Sequence, residues 1–367
     1  SGIHSSGATA NNVFVHHAEF NNLYAPFWIE SGGTNIAFTD NIVKEADSGP
    51  IAYANANTLK MVAMSRNFVY RIIDDALVVN GHGASAGIIS KIIIVNDNII
   101  LKNDFAIAGS IGGLKVSIGT SSYRDLAMME ISNNIMQTYS TGETGLTVSN
   151  SPYVGYPTAI PQVIMSNNII KGFTYGIIFQ GNTQHSQSLV SGNTLTQIKE
   201  VGLRIQAAKF VDFFDNIFDM NQTLASANGI EFVGNSNNIK ISRNRVHYAA
   251  NASIFRPAAI TLSNIWFEDN DFSDSDGAPS LASTTGLYFN RNKGFVTENS
   301  GIAKGASPIT VAHGLSYVTN ATRIMVVITA WNATVTGQVT TRDASNFYIT
   351  HTGTATATFS WYVEYNP

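Results

Sequence analysis

Residues 1–294 predict an all-β chain coiled into a right-handed parallel β-helix of about ten to eleven rungs, and residues 295–367 predict a small antiparallel β-sandwich. An Asn-centred motif recurs along the first part. Short alternating apolar runs flank each copy. The motif then stops after Asn292, where the composition changes.

The motif is clearest in Val163–Asn182, VIMSNNIIKGFTYGIIFQGN. Aligned on the second Asn of SNNII, copies fall at Asn22, Asn41, Asn67, Asn98, Asn134, Asn168, Asn193, Asn216, Asn244, Asn270 and Asn292, separated by 19 to 36 residues. Each follows an alternating run such as Ile239-Lys240-Ile241-Ser242 or Ile265-Trp266-Phe267-Glu268, the period of a half-buried strand. A second strand comes later, often opened by Gly, as at Gly145, Gly176, Gly202, Gly229 and Gly286. One such unit cannot bury its own apolar side, whereas stacked units can, with two or three strands per rung. Asn suits the repeated turn because it tolerates left-handed backbone and bonds its own main chain. Asn stacked on Asn can also form an amide ladder along the axis. The Asn column is therefore read as structural.

Composition excludes several classes. Charged residues are 13% of the chain and the net charge is −4, which gives no basic face for nucleic acid. The absence of cysteine excludes disulfides and thiolate metal sites. No apolar run is long enough to cross a membrane as a helix. The opening SGIHSSGATANN has no initiator Met, basic region or apolar signal core, and reads as continuing from an earlier part. The run Asp269–Gly277 fails the spacing of a calcium loop, and His16-His17 sits in an alternating strand, so no metal or cofactor is expected.

After Asn292, alternation over Arg323–Thr329, Asn346–Thr350 and Thr356–Val363 marks strands of a separate domain. At 73 residues without disulfides it is marginal alone. It is well placed to cap the open end of the solenoid and to associate with other copies.

The Asn-punctuated rungs, absent Cys, low charge, and the stretches GFVTENSGIAKGASPITVAHGL and FSWYVEYNP resemble bacteriophage tailspike and tail-fibre proteins of the pectate-lyase-like β-helix superfamily. The resemblance implies a homotrimer with parallel helices on the virion tail, outside the cell. It also implies a virion-attachment part N-terminal to this sequence, and a bacterial surface polysaccharide as target, bound and often cleaved. No catalytic motif of the family maps onto this chain residue by residue.

Candidate site residues come instead from the stacking. The longest gaps follow Asn67, Asn98 and Asn134, with insertions at 81–87, 109–125 and 139–162. Solenoid insertions gather on a binding face. Second strands aligned on Ile51, Leu77, Ile107, Leu146, Ile177, Leu203, Ile230, Ile260 and Leu287 place Asp74, Asp104 and Glu143 three residues ahead in consecutive rungs, with Asp75 beside Asp74. Such acids would stand about 5 Å apart on neighbouring rungs and about 10 Å on alternate ones. That range spans the carboxylate separations of retaining and inverting glycosidases. Stacked like charges also raise a pKa, as a general acid requires. Asp74, Asp75, Asp104 and Glu143 are thus the catalytic candidates for hydrolysis. Arg71, His82, Tyr123 and Arg124 could serve a lyase or bind substrate, and Tyr139, Tyr153 and Tyr156 could stack on sugar rings. A non-catalytic glycan-binding fibre or adhesin, and a secreted polysaccharide lyase or epimerase, are the alternatives.

Overall fold

A computed structural model describes the chain except for residues 1, 6–10, 30–32, 54–58, 81–91, 103–111, 120–127, 139–142, 152–161, 182–187, 222–223, 284, 295, 317, 319–320, 354 and 366–367. Three parallel sheets, here A, B and C, hold 11, 11 and 9 strands. The chain visits them in strict rotation, so a rung has three strands. Rung 4, for example, is Leu77–Asn80 in A, Ile92–Asn96 in B and Ile99–Leu101 in C. Sheets A and B each contribute a strand to eleven rungs; in the last two rungs sheet C is reduced to bridges at Asp271 and Lys293. The expected right-handed parallel β-helix is thus present, with the hand that right-twisted strands impose on parallel crossovers.

The Asn column runs through the corner between sheets B and C, and its hydrogen bonding closes completely. Asn134 Oδ1 accepts from the backbone N–H of Asn98 at 3.1 Å and from Asn98 Nδ2 at 2.9 Å. Asn134 Nδ2 donates to Asn168 Oδ1 at 2.9 Å and back to the Val95 carbonyl at 2.8 Å. The same pattern links Asn41, Asn67, Asn98, Asn134, Asn168, Asn193, Asn216, Asn244, Asn270 and Asn292. Two expectations are corrected here. Asn22 lies outside the column: Ala18 fills the slot on the first rung, its N–H donating to Asn41 Oδ1. The left-handed residue of each turn is also not the column Asn but the one before it, including Asp40, Arg66, Asp97, Asn133, Asn167, Asp215, Arg243, Asp269 and Arg291, all with φ near +55°. These exposed positions carry bidentate ion pairs between neighbouring rungs, at Arg66–Asp40, Arg243–Asp215 and Arg291–Asp269.

Inside the coil, like residues stack. One column of sheet A is Leu77, Leu114, Leu146, Ile177, Leu203, Ile230 and Ile254. This register corrects the alignment made from sequence. Leu114, not Ile107, continues the column in rung 5, and Ile254, not Ile260, in rung 10. Leu287 belongs to sheet B, stacked on Ile265. The glycines before this column answer to packing: a Cβ at Gly145 would run into Ile170, and one at Gly176 into Leu195, both core residues of sheet C. Only glycine lets the chain turn that corner against a filled interior.

The parallel strands end at Asn290 and antiparallel ones begin at Glu298. Two three-stranded sheets follow. One orders Glu298–Gly305, Ala357–Tyr365 and Ile324–Ala330; the other orders Ile309–Ala312, Asn346–His351 and Gly337–Arg342. They enclose a core of their own, with Phe347, Ile349, Phe359 and Val363 at its centre.

Asn134→Ala strands several buried donors and acceptors, each costing about 1–3 kcal/mol when unmet, so the variant should lose at least about 3 kcal/mol against denaturant. Asn22→Ala, at an exposed residue with φ 53°, should cost only about 1 kcal/mol. Equal effects at the two positions would contradict the placement of the column.

Candidate functional site

The three sheets differ in what their outer faces offer. On sheet C the outward row Ile42, Ile99, Ile135, Ile169 and Ile217 is exposed. On sheet A the outward row Val78, Lys115, Thr147, Ile178, Arg204, Glu231 and Phe255 contains no exposed residue. Sheet B has no exposed outward residue from Ile94 to Asp212 but opens at Lys240 and Trp266, so sheet A is the face sheltered over the whole span from Val78 to Phe255. Two of the expected insertions are in large part strands of sheet A, since 109–125 contains Gly112–Gly119 and 139–162 contains Thr144–Ser151; the residues outside the description flank these strands.

Polar groups concentrate where the chain passes from sheet C into sheet A at rungs 4 to 6. Lys102, which follows the sheet C strand of rung 4, sends its ammonium into the coil. Its Nζ donates to the Asp74 carbonyl at 2.6 Å and the Gly112 carbonyl at 3.2 Å, and pairs with Glu143 Oε1 at 3.1 Å. Glu143 Oε2 accepts from Thr138 Oγ1 at 2.8 Å. The Lys102 and Glu143 side chains are 1% and 2% exposed. One cation thus ties three successive turns of the same corner.

Asp75 sits in the same corner, on the side toward the sheltered face. Its Oδ1 is buried and meets no hydrogen-bond partner among the described residues, while Oδ2 is 4.0 Å from Lys115 Nζ. A Cβ at Gly112 would approach the Thr144 carbonyl oxygen of the next rung to 2.8 Å and only touch Asp75 Oδ1, at 3.8 Å, so glycine is required there by the stacking of the rungs. Burial raises the Asp75 carboxyl to about 6; Lys115 and Lys102 oppose the rise, and Asp74 and Glu143 add to it. Asp74 itself is exposed.

The register decides which acids belong together. Leu77, Leu114 and Leu146 are stacked, so the alignment on Ile107 that set Asp104 level with Asp74 and Glu143 does not hold. Asp104 lies outside the described residues. Asp74 and Glu143 begin strands two rungs apart, and Glu143 turns inward to Lys102 because an unpaired carboxylate there would be costly. Arg71 stands at the start of the corner, engaged with Glu45 at 3.0 Å. His82, Tyr123, Arg124, Tyr139, Tyr153 and Tyr156 lie outside the described residues.

A second polar group on sheet A escaped the sequence reading. Arg204 lies over the Tyr175 ring at 4.4 Å and bonds Glu231 Oε2 through Nε at 2.7 Å. Tyr175 hydrogen-bonds Glu200; burial, then that bond, raise its phenol. Arg204 and Glu231 occupy the middle of strands, where Gly202-Leu203-Arg204-Ile205 and Gly229-Ile230-Glu231-Phe232 put opposite charges at one level of adjacent rungs. That coincidence was visible in the sequence. Among the described residues no group of three or more His, Asp or Glu is arranged to hold a metal ion.

No family model and no curated protein matches the sequence. Several solved structures resemble it. A double mutant of the tailspike protein of E. coli bacteriophage HK620 aligns over 99% of this chain and 85% of its own, at 9% identity and TM-score 0.44. A form of the same tailspike in complex with a hexasaccharide aligns over 98% and 75%, at 13% identity and TM-score 0.41. The tailspike protein gp49 from Pseudomonas phage LKA1 aligns over 95% and 68%, at 11% identity and TM-score 0.32. The chain resembles these proteins in its parallel β-helix.

Asp75 binds its proton more tightly folded than unfolded, so its ionisation lowers stability as pH rises from about 4 to about 6 and adds nothing further above that. A shift of this size corresponds to up to about 3 kcal/mol. Asp75→Asn should therefore unfold at higher denaturant than the parent at pH 7, with the gain vanishing near pH 4. A gain that does not change with pH would contradict the burial of Asp75. Lys102→Met should cost about 3–5 kcal/mol by leaving Glu143 unpaired, and adding Glu143→Gln should return most of the loss.

Proposed function

We propose that the protein is a tailspike-like polysaccharide depolymerase, which holds a bacterial surface glycan along the outer face of sheet A and hydrolyses it at the Asp74–Asp75 corner. The observation that carries this is Asp75: a carboxyl with an unpartnered buried oxygen and a pKa near 6, beside an exposed carboxylate, at the edge of the sheltered sheet. A carboxyl poised in this range is what general acid catalysis of glycoside cleavage needs. Asp75 gives its proton to the bridging oxygen and the bond from that oxygen to the anomeric carbon breaks. A water adds its oxygen to the anomeric carbon and loses a proton to Asp74. Glu143, held by Lys102, orders the corner rather than meeting the sugar. Thr147, Ile178, Tyr175 and Arg204 provide a mixed polar and apolar floor, as sugar rings with their apolar faces and hydroxyl rims require. Arg71, with His82, Tyr123, Arg124, Tyr139, Tyr153 and Tyr156, completes the proposed binding face. The sequence resemblance to tailspikes supports a reading in which the protein sits on a virion tail as a trimer of parallel copies.

A non-catalytic fibre is the second reading. It is favoured by the commitment of Glu143 to Lys102, which removes one acid from the corner. Release of reducing ends from a panel of bacterial surface polysaccharides separates the two. The first reading expects cleavage that slows as pH rises through about 6, and that falls by at least about a hundredfold in Asp75→Asn with glycan binding kept. Binding with no release of reducing ends in the parent protein would establish the second.

A further inference from the structure

The outer face of sheet A carries a second organised group, well away from Asp75. Its strands Leu77–Asn80, Gly112–Gly119, Thr144–Ser151, Tyr175–Gly181 and Val201–Gln206 belong to consecutive rungs. Arg204 therefore stands about 19 Å along the axis from the level of Asp75. The side chains there are linked to one another. Tyr175 hydrogen-bonds Glu200 and Arg204. Arg204 lies over the Tyr175 ring at 4.4 Å, and its Nε donates to Glu231 Oε2 at 2.7 Å. An ion pair on an open surface holds neither partner in place. This pair is sheltered: the Arg204 and Glu231 side chains are 26% and 10% exposed, and the Tyr175 ring fixes the plane of the guanidinium.

Two features show what such a group is built to hold. The first is its donors. A guanidinium presents its N–H groups in a rigid fork. The bonds to Glu231 and Tyr175 occupy part of that fork, and the part of the Arg204 side chain that stays exposed lies on the outward row of the sheltered face. Gln180 and Gln206, paired in register and half-buried, bring amides to the same side of the sheet two residues further along their strands. The second feature is charge. Among the described residues, this face and its edge hold Lys115, Lys199 and Arg204 against Asp74, Asp75, Glu200 and Glu231. Arg204 is met directly by Glu231, and Lys115 is 4.0 Å from Asp75. An anionic polymer finds no surplus of positive charge here, and like charges set against each other are a strong source of exclusion. Sugar hydroxyl and amide groups are neutral and need donors and acceptors already held in place, which this group supplies.

We propose that Arg204, held by Tyr175 and Glu231, forms a distant subsite that grips an uncharged sugar, and that the target is a neutral polysaccharide. The inference rests on the depolymerase reading above and names the class of glycan that the same face takes. A sugar unit in an extended chain advances by about one rung, so Arg204 meets the glycan about four units from the bond at Asp75. Binding energy gained at this distance orients the chain at the reacting corner. Fragments too short to span the four rungs reach one end of the face only and gain nothing from Arg204.

The experiment is calorimetric titration of the full chain with a panel of purified bacterial surface polysaccharides, some neutral and some carrying uronic acids. Far-ultraviolet circular dichroism checks that each variant keeps the β-helix. The parent should bind one or more neutral members and none of the acidic ones. Arg204→Lys keeps a cation beside Glu231, and so the fold, but loses the planar fork. It should weaken binding of the neutral polysaccharide by about tenfold or more. Fragments of that polysaccharide too short to span four rungs, cut by acid, should bind the parent and Arg204→Lys equally weakly. An Arg204→Lys variant that binds the polysaccharide as tightly as the parent, or that loses short fragments as severely as the polymer, would overturn the subsite. Binding of a uronic acid polysaccharide as tight as that of any neutral one would overturn the neutral class while leaving the depolymerase reading intact. Binding to no member of the panel would overturn the glycan reading itself.

Discussion

The amide column from Asn41 to Asn292 is the constraint on which the rest of the structure depends. Each asparagine spends its carbonyl on the residue of the rung before and its amine on the rung after, while its own N–H joins the same chain of bonds. Nothing buried at that corner is left unpaired, and that is what allows so polar a column to sit inside a hydrophobic coil. Because every step links the same atoms, the column also sets the register of rungs whose lengths differ widely. The 36 residues between Asn98 and Asn134 and the 23 between Asn193 and Asn216 both amount to one turn. Loops can therefore grow without moving the strands they leave.

This tolerance explains where the chemistry is found. A chain with so few charges puts a buried ammonium, a buried carboxylate and a half-hidden carboxyl into one corner of rungs 4 to 6. Buried ion pairs are seldom a route to stability, since apolar residues of the same size do as well. The Lys102–Glu143 pair instead fixes the Asp74 carbonyl and two neighbouring turns, and so fixes the backbone from which Asp75 projects. Rungs 7 to 9 continue the same face with Tyr175, Glu200, Arg204 and Glu231, joined to one another directly.

Much of this was legible in the sequence, for a physical reason. A motif stacked on copies of itself must repeat, so ten of the eleven asparagines could be placed without coordinates. Asn22 deceived because EFNNLY repeats the look of the motif, while the true slot, Ala18, repeats only its position. The alignment on Ile107 failed for a related reason. An insertion changes chain length without changing register, so Ile107 and Leu114 were equally eligible until pairing was known. The inward turn of Glu143 depends on Lys102, forty-one residues earlier, and no local pattern shows that contact. The left-handed residue before each asparagine was obscured by its variety, since Asp, Arg, Asn and Gly all fill it.

The central claim is that the column holds distant segments at one level, and because the chain has no cysteine it can be tested by a single cross-link. Ile135 and Ile169 are exposed partners on adjacent rungs of sheet C. A cysteine pair at these positions would have Cα atoms about 5 Å apart, within disulfide range. The measurement is disulfide formation in Ile135→Cys/Ile169→Cys beside Ile135→Cys/Ile217→Cys, whose positions lie three rungs apart. The account predicts rapid closure within one chain for the first pair and none for the second. Failure of the first pair to close, or equal closure of both, would contradict it.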